Sequence, residues 1–137
     1  MKKKLLLIVS LLMLCMMIHA QDIRNASNMF IGKIEADGTV HDCSNMTVGR
    51  FKSDGYIVDR NNMTVGRIMI DGRIVDRTNM TIGKVVSDGT VRDKNNMLIG
   101  RVRPDGTLVD RNNMTIGYAK GVPMAYAAVF FFFKLLE

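Results

Sequence analysis

Residues 64–80 read TVGRIMIDGRIVDRTNM, and the same pattern returns along most of the chain. Asp-Gly recurs at 37, 54, 71, 88 and 105, and Asn-Met at 28, 45, 62, 79, 96 and 113, every interval being 17 residues. A fixed period of this length marks an array of one supersecondary unit. Each copy holds two runs rich in Val, Ile and Thr, each ended by turn residues and neither showing helical periodicity. The unit is therefore a β-hairpin.

Comparison of the copies sets the register. The residue three before each Asp is apolar (Ile34, Phe51, Ile68, Val85, Val102), and so is the one three after it (Val40, Ile57, Ile74, Val91, Leu108). These pairs face each other only across a three-residue loop such as Ser53–Asp54–Gly55, a type I turn closed by a left-handed glycine. Pro104 in the first loop position suits the fixed φ of that turn. A two-residue loop would put Phe51 and Ile57 on opposite faces in every copy. At the far end, Asp59 to Met63 predicts a tight turn centred on Asn61 and Asn62, with Val58 opposite Val65 beyond it. The recurring glycines (Gly32, Gly49, Gly66, Gly83, Gly100, Gly117) then share a face with the apolar columns, which argues for a sheet that curls inward around a narrow interior.

Asp22 to Met29 aligns with the second half of the unit and Thr115 to Ala119 with the first. Pairing of these half repeats closes the ring and removes both open edges. The expected fold is all-β: a closed ring or barrel of 17-residue hairpin repeats, five complete plus a split one, in preference to an open roll. Whether closure gives five petals or six is left open by the half repeats. Residues 21–119 form the repeat domain and residues 120–137 an apolar tail. In the tail Gly121, Val122 and Pro123 break the repeat, and Pro123 followed by Met124 to Ala128 predicts a short apolar helix acting as a cap or plug. Val129 to Phe133 has strand propensity. The alternative for the tail is a docking surface for a membrane or partner, because exposed Phe130 to Phe133 would be an aggregation hazard.

Residues 1–20 have the order of a secretory signal: Lys2 to Lys4, an apolar run from Leu5 to Ile18, and Ala20 before a cut at Gln21. The apolar run is shorter than the roughly 20 residues of a membrane-spanning helix. Lipidation at Cys15 is disfavoured, since Leu14 stands where a small residue is wanted. The 137-residue chain, 47% apolar and 23% charged, has the size of one small domain. Its net charge of +6 falls to +3 without Lys2, Lys3 and Lys4, which takes away the main support for nucleic-acid binding. Beyond residue 20, Cys43 is the sole cysteine and His41 the sole histidine, so no intrachain disulfide can form there. A thiol–imidazole pair on one strand at His41 and Cys43 is formally present, but the neighbouring copies carry Val58, Val75, Arg92 and Val109 in the column of His41.

The repeats NMTVGRI (62–68) and DGRIVDRTNM (71–80), with the tail AYAAVFFFF (125–133), resemble a family of small secreted bacterial proteins described as five-fold β-flowers. The likeness runs from Asp22 to Phe133. It implies this fold and export, and the family carries no assigned biochemical activity that could be transferred.

Asp42, Asp59, Asp76, Asp93 and Asp110 form an acidic column with Asn25 in the sixth place; a circle of carboxylates could hold Ca²⁺, but an Asp before Asn-Asn also stabilises a turn. Basic columns at Lys33, Arg50, Arg67, Lys84 and Arg101, and at Arg60, Arg77, Lys94 and Arg111, are expected on the face away from the glycines, as a solvated surface or a site for acidic glycans. Asn25, Asn45, Asn62, Asn79 and Asn113 begin Asn-x-Ser/Thr sequences that the repeat itself explains. The six methionines beside the turns are expected to pack there rather than to converge on copper or an apolar ligand. No cofactor or catalytic group is indicated. The functional expectation is a secreted, non-enzymatic repeat protein with a structural or ligand-binding role at the cell envelope, its partner a glycan or an envelope protein. The alternatives are a carbohydrate-binding module using the polar turns and a docking protein using the Phe-rich tail.

Overall fold

The computed structural model describes residues 21–136; the leader-like residues 1–20, with Cys15, lie outside the described residues. Twelve antiparallel strands follow one another: β1 (Gln21–Asn25), β2 (Phe30–Ile34), β3 (Thr39–Asp42), β4 (Thr47–Phe51), β5 (Tyr56–Asp59) and β6 (Thr64–Ile68). Then come β7 (Arg73–Asp76), β8 (Thr81–Val85), β9 (Thr90–Asp93), β10 (Leu98–Val102), β11 (Thr107–Asp110) and β12 (Thr115–Tyr118). Every strand pairs with its sequence neighbours, and β1 pairs with β12, so the sheet is a closed barrel. Closure settles the petal count: six hairpins are joined through Asn turns, five Asp-Gly loops link them, and the sixth junction is the non-covalent β1–β12 seam.

The Asp-Gly hairpins have the expected register. Ile34 faces Val40, Phe51 faces Ile57, Ile68 faces Ile74, Val85 faces Val91 and Val102 faces Leu108. The loop glycines sit at φ of +89° to +94°, where a side chain would be strained. The Asn turns differ from expectation by one residue. Asp59 N–H donates to the Met63 carbonyl and Asn62 N–H to that of Asp59. Arg60 and Asn61 therefore form the turn centre and Asn62 alone takes the left-handed conformation, φ 64°. It does the job that glycine does at the other end. Ile57 then faces Gly66 while Val58 faces Thr64, not Val65, which is left over as a β-bulge. The same bulge recurs in all six Asn-turn hairpins. Such bulges bend the strand and increase its twist, as a small barrel requires.

Ile23, Val40, Ile57, Ile74, Val91 and Leu108 make one inner ring, each with no exposed surface. At about 1.5–3 kcal/mol per buried aliphatic side chain, this ring outweighs the solvent-accessible ion pairs Arg24–Asp22, Lys33–Glu35 and Arg73–Asp71, whose attraction water screens. Outside, Val58, Val75 and Val109 are also buried, each directly opposite an arginine (Arg50, Arg67, Arg101) whose aliphatic stem can lie along apolar surface.

The tail fills the bore. Pro123 precedes α1 (Met124–Ala128), and the helix then widens into a π-helical turn, Val129–Phe133, closed by Lys134 N–H donating to the Val129 carbonyl. The strand propensity of Val129 to Phe133 is overridden here by packing, because the helix can present successive side chains to the surrounding wall. Ala127, Ala128 and Val129 are wholly buried.

Candidate functional site

Three repeated features carry the chemistry of the chain: the turn aspartates, the outer basic columns and the inner glycines. In the Asn turns, the Oδ1 atom of Asp59 accepts hydrogen bonds from Asn61 N–H and Met63 N–H, at 2.8 and 3.0 Å. Asp42, Asp76, Asp93 and Asp110 make the same two bonds to their own turns. Asn25 makes them too, at 3.0 and 2.9 Å, with a neutral amide oxygen. What this position requires is an acceptor that satisfies two backbone donors, with or without a charge. Asp76 takes in addition the Thr78 hydroxyl at 2.6 Å, the leading reason that its carboxyl is held below the ordinary 3.8. Among the described residues no three His, Cys, Asp or Glu side chains gather as metal ligands.

The Asp-Gly loops, which the sequence marks only as turns, carry a second acidic column. Asp37, Asp54, Asp71, Asp88 and Asp105 each accept the N–H of the residue two further on, at 2.9–3.1 Å. The backbone N–H of Thr39, Thr90 and Thr107 leads in lowering the carboxyls of Asp37, Asp88 and Asp105, and the Arg73 side chain leads at Asp71.

His41 and Cys43 do not share a strand: β3 ends at Asp42 and Cys43 lies exposed in the turn. His41 instead has Glu35 Oε1 3.4 Å from Nε2 and Thr47 Oγ1 3.4 Å from Nδ1.

Lys33, Arg50, Arg67, Lys84 and Arg101 face outward from the barrel wall, while Arg60, Arg77, Lys94 and Arg111 lie in the Asn turns. The Arg67 guanidinium lies 4.6 Å over the Tyr56 ring, and its Nε is buried with no hydrogen-bond partner. Beside it, a cleft of about 610 Å³ opens between two Asp-Gly loops, lined by Asp54, Arg67, Ile70, Asp71 and Arg73. A second cleft follows the seam, where Arg24, Asn28, Tyr118 and Lys120 come together.

The methionines depart from expectation. Met29, Met46, Met63, Met80, Met97 and Met114 do not pack beside the turns; they are 61–65% exposed, a ring of thioethers on one rim. Each follows a left-handed asparagine in a turn already closed by Asp or Asn, so nothing in the barrel is left to cover it.

Inside the barrel the six glycines each receive one tail residue. Gly117, Gly100 and Gly83 lie against the rings of Phe131, Phe132 and Phe133; Gly66 lies against Leu135, Gly49 against Leu136 and Gly32 nearest Phe130. With Lys134 passed over, tail residues in order thus visit alternate strands around the wall. A methyl group at Gly83 or Gly100 would run into the ring beside it. The glycines that the repeat supplies and the aromatic run that follows it are two halves of one packing arrangement.

No curated protein and no solved structure matches the chain. A family model described as 5-fold beta-flower protein matches residues 20–134, a span that takes in every strand and the aromatic tail. With the six-hairpin ring, the glycine column and the tail all inside that match, the chain belongs to the 5-fold beta-flower protein family.

Proposed function

We propose that this chain is an exported, non-enzymatic scaffold of the cell envelope that binds a partner or ligand through its outer surface. The observation that carries this reading is the occupied bore: the tail stands against the inner glycines, so the repeated surfaces left for recognition are the rims and the outer wall. The turn aspartates, the most numerous repeated acids, each hold backbone N–H groups of their own turns, and His41 lies beside Glu35 and Thr47. Export rests on the charged, apolar and small-residue order of residues 1–20. The strands of four or five residues are about half the length that a bilayer-spanning strand needs, and the outer wall carries Arg and Lys, which favours an envelope-associated over a membrane-integral form.

A glycan is the second reading. It is favoured by the Tyr56–Arg67 cleft, where carboxylates and arginines stand beside exposed Ile70. Phe130 and Phe131 are partly exposed at the bore mouth, whereas docking through all four phenylalanines would require the tail to leave the bore.

Cell fractionation with intact-mass measurement tests the first reading. The expected result is an envelope or secreted form beginning at Gln21, with an envelope component captured by crosslinking. A cytosolic form retaining residues 1–20 would overturn it. Binding on a glycan array that is lost in Arg67→Ala would move the second reading ahead.

A further inference from the structure

One rim of the barrel is apolar in a way that the fold does not require. The six methionines after the left-handed asparagines are about three-fifths exposed, and Phe30 and Leu98, next in sequence to two of them, are exposed at 38% and 41%. Phe130 and Phe131, both partly exposed, line the bore mouth with exposed Lys134 and buried Leu136 at the same end, because the glycines that Phe130, Phe131 and Leu136 rest on pair with the residues that open these turns, as Gly49 pairs with Asp59. Contiguous apolar surface beyond a few hundred Å² marks an interaction site. Six methionine side chains this exposed amount to several hundred Å², of the order of the roughly 800 Å² that a standard interface takes from each partner.

The charges around the rim point to the partner. Arg60, Arg77, Lys94 and Arg111 are exposed and form no ion pair among the described residues. Along the chain they alternate with Asp42, Asp59, Asp76, Asp93 and Asp110; Arg24 and Arg92 reach the Asn28 and Asn96 carbonyls of the same set of turns, Arg103 reaches Asn113, and Lys134 stands at the bore mouth. A rim of alternating sign is complementary to itself: a second copy turned face to face can set its arginines against the first copy's aspartates while the two methionine rings meet. Methionine is well suited to such a contact, since its unbranched side chain adapts to an identical opposing surface.

We propose that the methionine rim is the interface of a face-to-face dimer of this chain. This deepens the partner-binding reading by naming the partner as a second copy, and it is tested in purified protein, independently of where the protein resides in the cell.

The full-length gene is expressed and the protein, in whatever processed form results, is studied by sedimentation velocity from about 1 to about 100 µM, a range in which modest interfaces of this size associate. The expected result is a doubling of mass with concentration. The M29Q/M46Q/M63Q/M80Q/M97Q/M114Q variant should keep the single-chain mass and the parent's melting temperature, while Ile70→Gln, on the opposite rim, should still dimerise. A single-chain mass throughout, or a dimer that survives the sixfold substitution, would overturn the proposal. So would a monomer that co-sediments with phosphatidylglycerol vesicles through these methionines, which would assign the rim to lipid. Should the sixfold variant fail to fold, alkylation of Cys43, in one of the rim turns, provides the check. Its rate should fall several-fold with rising protein concentration, and a constant rate would refute the interface.

Discussion

The rings of Phe51 and Tyr126 lie face to face, centroids 4.3 Å apart and planes within 6° of parallel. Phe51 is the one aromatic residue in its inner column, where the other hairpins carry Ile34, Ile68, Val85 and Val102, and Tyr126 belongs to α1. The stack fixes the rotation of the tail relative to one chosen hairpin, which a ring of near-identical repeats cannot do by itself.

Phe51→Ala should therefore cost about 3–5 kcal/mol of unfolding free energy, as for other fully buried aromatics. In a double-mutant cycle with Tyr126→Ala, the coupling should be about 0.5–1.5 kcal/mol. Denaturant unfolding of the four proteins measures it, and additive losses would show that the stack orients nothing.

Glycine-to-alanine substitutions should rank by what faces them. At Gly83 the added methyl meets the Phe133 ring as well as the neighbouring strand, whereas at Gly32 the nearest tail atom is 3.7 Å away. Gly83→Ala is expected to be more destabilising than Gly32→Ala by about 1–3 kcal/mol, the usual overpacking cost. Adding Phe133→Ala should narrow the gap, and thermal melts of the set decide it.

Ile74 and Ile70 lie four residues apart at opposite extremes, the first wholly buried and the second wholly exposed. Ile74→Asp places an unpaired charge in the inner ring and should leave the protein unfolded at room temperature, a loss above about 4 kcal/mol. Ile70→Asp should change stability by less than about 0.5 kcal/mol. Circular dichroism separates the two outcomes.

Acid should weaken the fold in a defined window. Asp37, Asp71, Asp76, Asp88 and Asp105 all have carboxyls held below the ordinary 3.8 by hydrogen bonds to the ionised form, from backbone N–H groups, the Thr78 hydroxyl and the Arg73 side chain. A carboxyl depressed in the folded state stabilises it above the unfolded value, and that contribution disappears as pH falls through the folded value. The melting temperature should be flat from neutral pH to about 5 and decline below about 4. Asp76→Asn should make the decline shallower, since Asn25 shows that an amide closes the same turn.

Truncation after Ala119 empties the bore and exposes both the inner ring and the glycine column. The expected product melts at a markedly lower temperature or aggregates, and binds a hydrophobic dye. A truncated form with unchanged melting would mean that the barrel wall holds itself.

Much of this arrangement is legible in one 17-residue stretch. The Phe51–Ile57 pairing follows from asking which loop length keeps the apolar columns on one face, and Asp-Gly limits the choice. The Asn turn is harder to read, because Asn61 and Asn62 both tolerate positive φ and only the hydrogen bond from Asn62 to Asp59 decides between them. The bulge at Val65 leaves no mark in the repeat period, since it recurs in every copy and so displaces nothing relative to its neighbours. Methionine exposure is invisible for a related reason: periodicity shows that six residues are equivalent without showing whether they face protein or water. The glycine column signalled a narrow interior, but its match to Phe131, Phe132 and Phe133 depends on the π-helical turn, which local propensity in VFFFF argues against.

The β1–β12 seam and the tail that enters the bore have a consequence for the order in which the molecule can come together. Each hairpin is local and can form as soon as its own residues are available, so eleven of the twelve strand pairings need no distant partner. The seam waits for Tyr118 to meet Arg24, and the filling of the interior waits longer, for residues 124–136. A chain that emerges N-terminus first therefore carries its whole wall, inner ring included, before the segment that fills it, and is expected to stay loosely closed until residues 124–136 arrive. A proteolytic nick or a frameshift in the tail is therefore expected to act on folding as a whole while leaving every repeat intact.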